Sequence, residues 1–252
     1  MILGEPPRTQ FDINFSLFGF PVRVAPFFWI AAVLLGYGST EGDPPLLLAW
    51  ILAVGISILI HELGHAFAFR YFGSHCHIVL YHFGGLAVPD SHSMNARDPY
   101  RQIAISFAGP VAQLSGALLM VISLLLLGYS VPLGGFVGNL LPIIDAPSPP
   151  LSVFWFVLYF LYISVYWSLL NLLPIYPLDG GQISRELFVI FSRTDGIKNS
   201  LLLSVFTAGA VALFALTNRD SYLMIMFGML AYSSYQTLQA YTGRGSGYGR
   251  GW

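Results

Sequence analysis

Charged residues are scarce in this sequence of 252 residues, of which only 9% are Asp, Glu, Lys or Arg. In an average soluble domain, about a quarter of the residues are charged. The mean hydropathy is +0.69 and 56% of the residues are hydrophobic, which excludes an ordinary soluble domain and indicates a protein embedded in the lipid bilayer. The formal net charge of -1 provides no basic surface for nucleic acid. The single cysteine, Cys76, excludes an internal disulfide and any metal site built from several cysteines.

Long stretches without any charged residue predict about six transmembrane helices, since a spanning helix needs about 20 apolar residues. The predicted spans are residues 24–40, 45–69, 102–128, 152–173, 199–217 and 221–240. The predicted fold class is therefore an all-α polytopic membrane protein with one membrane-embedded domain, residues 1–252, ending in a flexible Gly-rich tail at 243–252. The first residues lack the composition of a signal peptide, so we expect the first span to be retained.

The segment between the second and third predicted helices has a different pattern. Residues 77–88 are rich in aromatic, β-branched and glycine residues, which is typical of short strands joined by a turn. We therefore predict a short, membrane-associated β-hairpin region after the second helix.

Lysine and arginine are distributed unevenly between the predicted loops. With the spans above, only Arg219 lies on one side of the membrane, and ten basic residues lie on the other: Arg8, Arg23, Arg70, Arg97, Arg101, Arg185, Arg193, Lys198, Arg244 and Arg250. Because positively charged loops stay in the cytoplasm, this asymmetry predicts that both termini are cytoplasmic.

A metal-binding pattern lies at the cytoplasmic end of the second predicted helix. His61-Glu62-Leu63-Gly64-His65 is an H-E-x-x-H sequence, in which two histidines four residues apart share one helix face and bind one zinc ion. The glutamate between them is then the general base that acts on the zinc-bound water. The alternative is a histidine pair packed near the lipid headgroups, with Glu62 extended to water.

A catalytic zinc needs a third protein ligand, and Asp179 is the candidate. It follows the fourth predicted span, where the topology puts it at the same depth as His61 and His65, and the prolines before it interrupt the helix. The alternative role is that of an N-cap for a helix over residues 182–191. Asn171 lies in the same span, where it hydrogen-bonds either a neighbouring helix or the carbonyl of a bound substrate.

These motifs together resemble the site-2 protease family of intramembrane zinc metalloproteases. The resemblance rests on the H-E-x-x-H helix followed by an N-x-x-P-x-x-x-L-D-G sequence, here Asn171 to Gly180, and on Phe83-Gly84-Gly85, which looks like the family's membrane-embedded strand. Relatives often have Gly-Pro-x-x-Asn where this chain has Gly109, Pro110 and Gln113, so no role is transferred to Gln113. Many relatives also have an inserted PDZ domain or an appended pair of CBS domains. In this chain the loops are too short for the former and too little chain follows the last span for the latter, so we expect a minimal form of the family's membrane domain.

The resemblance implies a function for each of these residues. His61, His65 and Asp179 would bind one zinc ion per chain, Glu62 would be the catalytic base, and Asn171 would assist at the scissile carbonyl. The substrates would be single-span, regulatory membrane proteins cleaved in or near their transmembrane segments. We expect such a segment to unwind and to pair with the strand region, with Phe83, Gly84 and Gly85 as substrate-binding residues.

Two other functions are compatible with the sequence. A zinc-binding transporter also has His and Asp within the membrane, although it does not require the H-E-x-x-H spacing. An inactive relative that binds membrane helices as a scaffold is the third hypothesis, although every catalytic position is filled. Separately, His75 and His77 have the spacing of a second metal site on a strand. The alternative is that they are ordinary surface histidines that bind no metal. The sequence does not indicate an oligomeric state.

Overall fold

The computed structural model describes residues 5–82, 84–90, 98–131, 147–192 and 194–244. The chain divides into two compact units. The first unit holds the described residues 5–82, 84–90, 108–131 and 147–169, and the second holds 98–107, 170–192 and 194–244. The predicted substrate-binding residue Phe83 and most of the predicted Gly-rich tail, residues 245–252, lie outside the described residues.

The described chain forms four strands and seven helices. In chain order these are β1 (Ile13–Leu17), β2 (Phe20–Val24), α1 (Pro26–Ser39), α2 (Pro44–Tyr71), β3 (Cys76–Tyr81), β4 (Gly84–Pro89), α3 (Pro99–Leu126), α4 (Leu151–Asn171), α5 (Asp179–Phe191), α6 (Gly196–Thr217) and α7 (Ser221–Arg244). Each predicted span corresponds to a helix. Helix α7 continues through Arg244, so the first two residues of the predicted tail, 243 and 244, are helical.

Among the described residues, four helices are long and apolar enough to cross a membrane. They are Pro44–Tyr71, Pro99–Leu126, Val153–Asn171 and Gly196–Thr217. Helix α1 is apolar but has only 14 residues, fewer than the roughly 20 that a spanning helix needs. Helix α7 has 24 residues but does not meet the combined requirement of length and apolarity. The mostly helical membrane fold is confirmed, and the count of six spans is not.

The first unit contains a four-stranded sheet with the strand order β1-β2-β3-β4. Strands β3 and β4 pair antiparallel, so the predicted hairpin is confirmed. The prediction is incomplete, because β1 and β2 form a second antiparallel hairpin and β2 pairs parallel with β3. Phe18 and Gly19 have φ angles of 51° and 83° in the turn of that hairpin. Two consecutive positive φ values are typical of a tight turn whose twist matches paired strands.

Helix α2 begins and ends where local chemistry dictates. The side chain of Asp43 accepts a hydrogen bond from the Leu46 amide, and prolines occupy the first two helical positions, where a missing N–H costs nothing. The helix ends at Tyr71, and Gly73 follows with a φ of 80°. Between these limits 28 residues of helix pack against α1, β3 and β4 within the first unit.

The second unit is built from α5, α6 and α7, whose core contains Ile175, Ala208 and Phe227. The chain is not helical just before α5, yet its backbone groups at Tyr176 are satisfied. The Tyr176 amide donates to Ser204 Oγ at 3.0 Å, and Ser234 Oγ donates to the Tyr176 carbonyl at 2.9 Å. These bonds make irregular backbone tolerable among apolar helices, where an unpaired amide or carbonyl is costly.

Candidate metal centre

The two histidines of the H-E-x-x-H sequence converge on one point in the first unit. His61 and His65 are 3% and 8% exposed, and their Nε2 atoms lie 3.1 Å apart. Two nitrogens that each lie about 2.05 Å from one tetrahedral zinc are about 3.3 Å apart. The imidazole pair therefore fits a shared zinc ion with little adjustment.

Helix α3 leaves space beside these nitrogens because residue 109 is glycine. A Cβ atom added to Gly109 would overlap His65 Nε2 and would lie 2.8 Å from His61 Nε2. Gly64, within the motif, allows the same helices to approach, since a Cβ there would overlap the Ala108 carbonyl. Gly109 therefore borders the histidine nitrogens directly.

Glu62 is 4% exposed and lies against strand β4. A Cβ atom added to Gly85 would overlap the Glu62 side chain, so the backbone of β4 passes directly beside the carboxylate. A Cβ added to Gly84 would meet the Trp167 ring at 2.9 Å, and Gly84 has a φ of 120°. Two of the three predicted substrate-binding residues therefore belong to a strand next to the predicted base.

A buried hydrogen-bond network, which the sequence pattern did not predict, is attached to His61. Gln113 of α3 is fully buried, and its Oε1 lies 2.9 Å from His61 Nδ1. Ser168 Oγ donates to the same Oε1 at 2.8 Å, while Gln113 Nε2 donates to Ser57 Oγ at 2.8 Å. Ser57 Oγ is in turn 2.8 Å from Ser164 Oγ. The only sequence signal was a glutamine within an apolar helix.

The remaining two predicted site residues, Asn171 and Asp179, belong to the second unit. Asn171 ends α4 and Asp179 begins α5, and each is 8% exposed. The N-cap of α5 is Leu178, without a side-chain capping bond, so the alternative N-cap role for Asp179 is wrong. Added Cβ atoms on Gly180 and Gly181 would overlap the backbone of residues 172–176. These glycines therefore let the first turn of α5 pack on the segment before it.

Among the described residues, His75 and His77 do not form a second metal site with other side chains. His75 precedes strand β3, and His77 Nε2 lies 3.4 Å from Glu5 Oε1. Burial raises the pKa of the Cys76 thiol to about 11, and the Asp90 carboxylate adds to this shift. A neutral thiol is a poorer metal ligand than a thiolate. Within the described residues, neither histidine belongs to a group of three or more metal-binding side chains.

Comparison with known proteins places the chain among membrane peptidases. The model of peptidase family M50 matches residues 49–216. The chain is 29% identical over 184 residues to the Synechocystis sp. protein sll0528, covering 68% of this chain and 42% of the relative. It is 24% identical over 220 residues to zinc metalloprotease MJ0392 of Methanocaldococcus jannaschii, covering 86% and 53%. This chain thus spans about half the length of the curated relatives it matches.

The fold also matches a solved structure, the site-2 protease from Methanocaldococcus jannaschii. The TM-score is 0.54 with 21% sequence identity, and the match covers 90% of this chain and 95% of the other. At this identity the likeness concerns the fold. The resemblance to the site-2 protease family drawn from the motifs is confirmed by the family match. With its apolar helices, the chain is an integral, multi-pass membrane protein.

Proposed function

We propose that this chain, which belongs to peptidase family M50, is an intramembrane zinc metalloendopeptidase that cleaves membrane-anchored proteins in or near their transmembrane segments. The observation that carries the proposal is the convergence of His61 Nε2 and His65 Nε2, 3.1 Å apart, with a buried glutamate between them in the chain. A transporter would need the histidines but not Glu62.

The proposed ligand set is His61, His65 and Asp179, with one zinc ion per chain. Two imidazoles and one carboxylate are a donor set that catalytic zinc sites use, and they leave one coordination position open. Each of the three side chains is at least nine-tenths buried. Coordination to a metal is one of the ways in which a buried carboxylate such as that of Asp179 is stabilised.

Zinc, when bound, supplies a Lewis acid that polarises the scissile carbonyl and lowers the pKa of water to about 7. Glu62 takes a proton from the attacking water and donates it to the leaving amine, so its carboxylate is deprotonated again at the end of each cycle. Burial of Glu62 at 4% exposure keeps bulk water away from this proton transfer. Asn171 is proposed to donate a hydrogen bond from its side-chain amide to the carbonyl oxygen as negative charge develops.

Strand β4 is the proposed binding segment for the substrate. A transmembrane helix hides its amides in its own hydrogen bonds, so its cleavage site must unwind before it reaches the base. Strand β4 pairs with β3 at the edge of the sheet and passes beside Glu62 at Gly85. An unwound segment that pairs with β4 through its backbone would therefore lie next to the base. Single-span proteins are the proposed substrate class.

The side of the membrane is also a proposal. The excess of Lys and Arg in the loops on the side of the termini supports a cytoplasmic location for both termini and for His61 and His65. Arg70, in the last turn of α2, is one of these basic residues.

The test of the proposed function compares the wild type with Glu62→Gln in membranes from cells that produce each form. Mass spectrometry identifies new peptide termini within predicted transmembrane segments, and zinc content is measured on the purified proteins. We expect such termini with the wild type only, and about one zinc in both forms. Identical termini from both forms would exclude Glu62 as the base, and wild-type protein without zinc would exclude the metal mechanism.

A further inference from the structure

We infer that Gln113 is a positioning residue that holds the His61 imidazole in the tautomer needed to bind metal, with the proton on Nδ1 and the lone pair on Nε2. This inference rests on the proposed function, since it concerns the proposed zinc site. It assigns a role to a residue to which the family resemblance transferred none.

The geometry at the imidazole determines the tautomer. Gln113 Oε1 lies 2.9 Å from His61 Nδ1, and an amide oxygen has only lone pairs to offer. The hydrogen bond therefore requires a proton on Nδ1, which leaves the lone pair on Nε2. This Nε2 is the atom that lies 3.1 Å from His65 Nε2. A hydrogen bond of this kind both fixes the ring and makes the opposite nitrogen a better metal ligand.

The amide of Gln113 is itself held from both sides. Ser168 Oγ on α4 donates to Oε1, and Nε2 donates to Ser57 Oγ on α2, each at 2.8 Å. Gln113, Ser57 and Ser168 are all fully buried. Three spanning helices of the first unit thus supply the amide and its two serine partners. If the histidine moved away, the buried amide oxygen would lose one of its hydrogen-bond partners, which is unfavourable away from water.

A purely structural role for this network would be to join the helices through polar groups. The Ser57 and Ser164 hydroxyls, 2.8 Å apart, do this without contacting a proposed ligand. Gln113 differs because one of its partners is a ring nitrogen of His61. The distinction gives a matched control, since Ser164→Ala breaks the same network farther from the histidine.

The test measures metal binding on purified full-length protein freed of metal. Competition with a chelator gives the Zn²⁺ affinity, and the visible spectrum of bound Co²⁺ reports the ligand geometry. Gln113→Met keeps the length but removes the acceptor, and we expect the Zn²⁺ affinity to fall about 10- to 100-fold, as it does when partners of metal-binding histidines are lost. Gln113→Glu keeps an acceptor at the same reach, so the affinity should stay within about threefold of the wild type. Ser164→Ala should stay within about twofold.

The outcomes separate this inference from the proposed function. Wild-type protein that binds no Zn²⁺ overturns the proposed function. Wild-type binding with equal affinity in Gln113→Met overturns the role of Gln113, and so does an equal loss in Gln113→Glu or in Ser164→Ala. If Gln113→Met does not fold, the tautomer is measured in metal-free wild type by ¹⁵N NMR of labelled histidine, assigned with His61→Asn. A proton on Nε2 of His61 would then overturn the inference.

Discussion

Replacing Gly109 by alanine should remove metal binding while leaving the helices intact. The added Cβ would lie 2.8 Å from His61 Nε2 and closer still to His65 Nε2. Since a carbon and a nitrogen in van der Waals contact are about 3.4 Å apart, the first nitrogen must withdraw by about 0.6 Å and the second by more. Zinc–nitrogen distances tolerate only about 0.2 Å. Both imidazoles would therefore leave the positions at which they share a zinc ion.

The expected magnitude is a loss of at least about 100-fold in Zn²⁺ affinity, or about 2.7 kcal/mol. The stability of the metal-free protein should change far less. The overlapping atoms are the ends of two side chains that are able to move, and alanine in a helix interior gains about 1 kcal/mol over glycine. We therefore expect loss of metal binding without loss of the fold.

The assay is chelator competition for Zn²⁺ on purified protein, with thermal unfolding of the metal-free form measured beside it. Gly116→Ala is the matched control, because it adds the same methyl group to α3 where the nearest atoms, those of Ile60, are 3.5 Å away. The control should bind Zn²⁺ within about twofold of the wild type. Wild-type affinity in Gly109→Ala would refute the placement of the metal between the histidines beside this glycine.

Two further predictions concern stability. Gly64→Ala should lower the free energy of unfolding by about 1–3 kcal/mol, because its Cβ would overlap the backbone of α3. Gly55→Ala on the same helix has its nearest contact at 3.9 Å and should not destabilise the protein; equal thermal midpoints for the two variants would contradict the helix packing. Hydrogen bonds from Thr9 and from Arg23 lower the pKa of Asp12 from 3.8 to about 2. Because the pKa is lowered by folding, this stabilisation is present above about pH 4 and is lost as the pH falls toward 2. The wild type should therefore lose more of its thermal midpoint in that interval than Asp12→Asn does, and parallel curves would exclude the effect.

Local patterns in the chain were sufficient for the helices and for the core of the motif. A charge-free run of apolar residues needs no tertiary contact to indicate a helix in lipid, and each predicted span corresponds to a helix. Histidines four residues apart lie on one helix face by the geometry of the helix alone. His61, Glu62 and His65 were therefore recognisable from five consecutive residues.

Other features depended on residues that are distant in sequence. Strand β2 was missed because one of its partners, β3, follows more than 50 residues later and the two pair in parallel, a register that no adjacent turn specifies. Strand β1 was missed with it, since it pairs with β2. The number of membrane spans is not confirmed for a different reason. Helices α1 and α7 carry apolar residues without the combined length and apolarity of the four candidate spans.

Tertiary structure alone decided which small or polar residues matter at the site. In the sequence, the family resemblance pointed to Gly85 but not to its contact with Glu62, while Gly109 is one of 26 glycines and Gln113 is a glutamine in an apolar helix, and neither had a predicted role at the site. Folding brings Gly85 against Glu62 and brings Gly109 and Gln113 against the histidines. Contacts of this kind join residues on different elements, so they follow from how helices and strands pack. The sequence by itself indicated the candidate reacting groups, because their spacing is local, and the packing of helices and strands determined which residues lie against them.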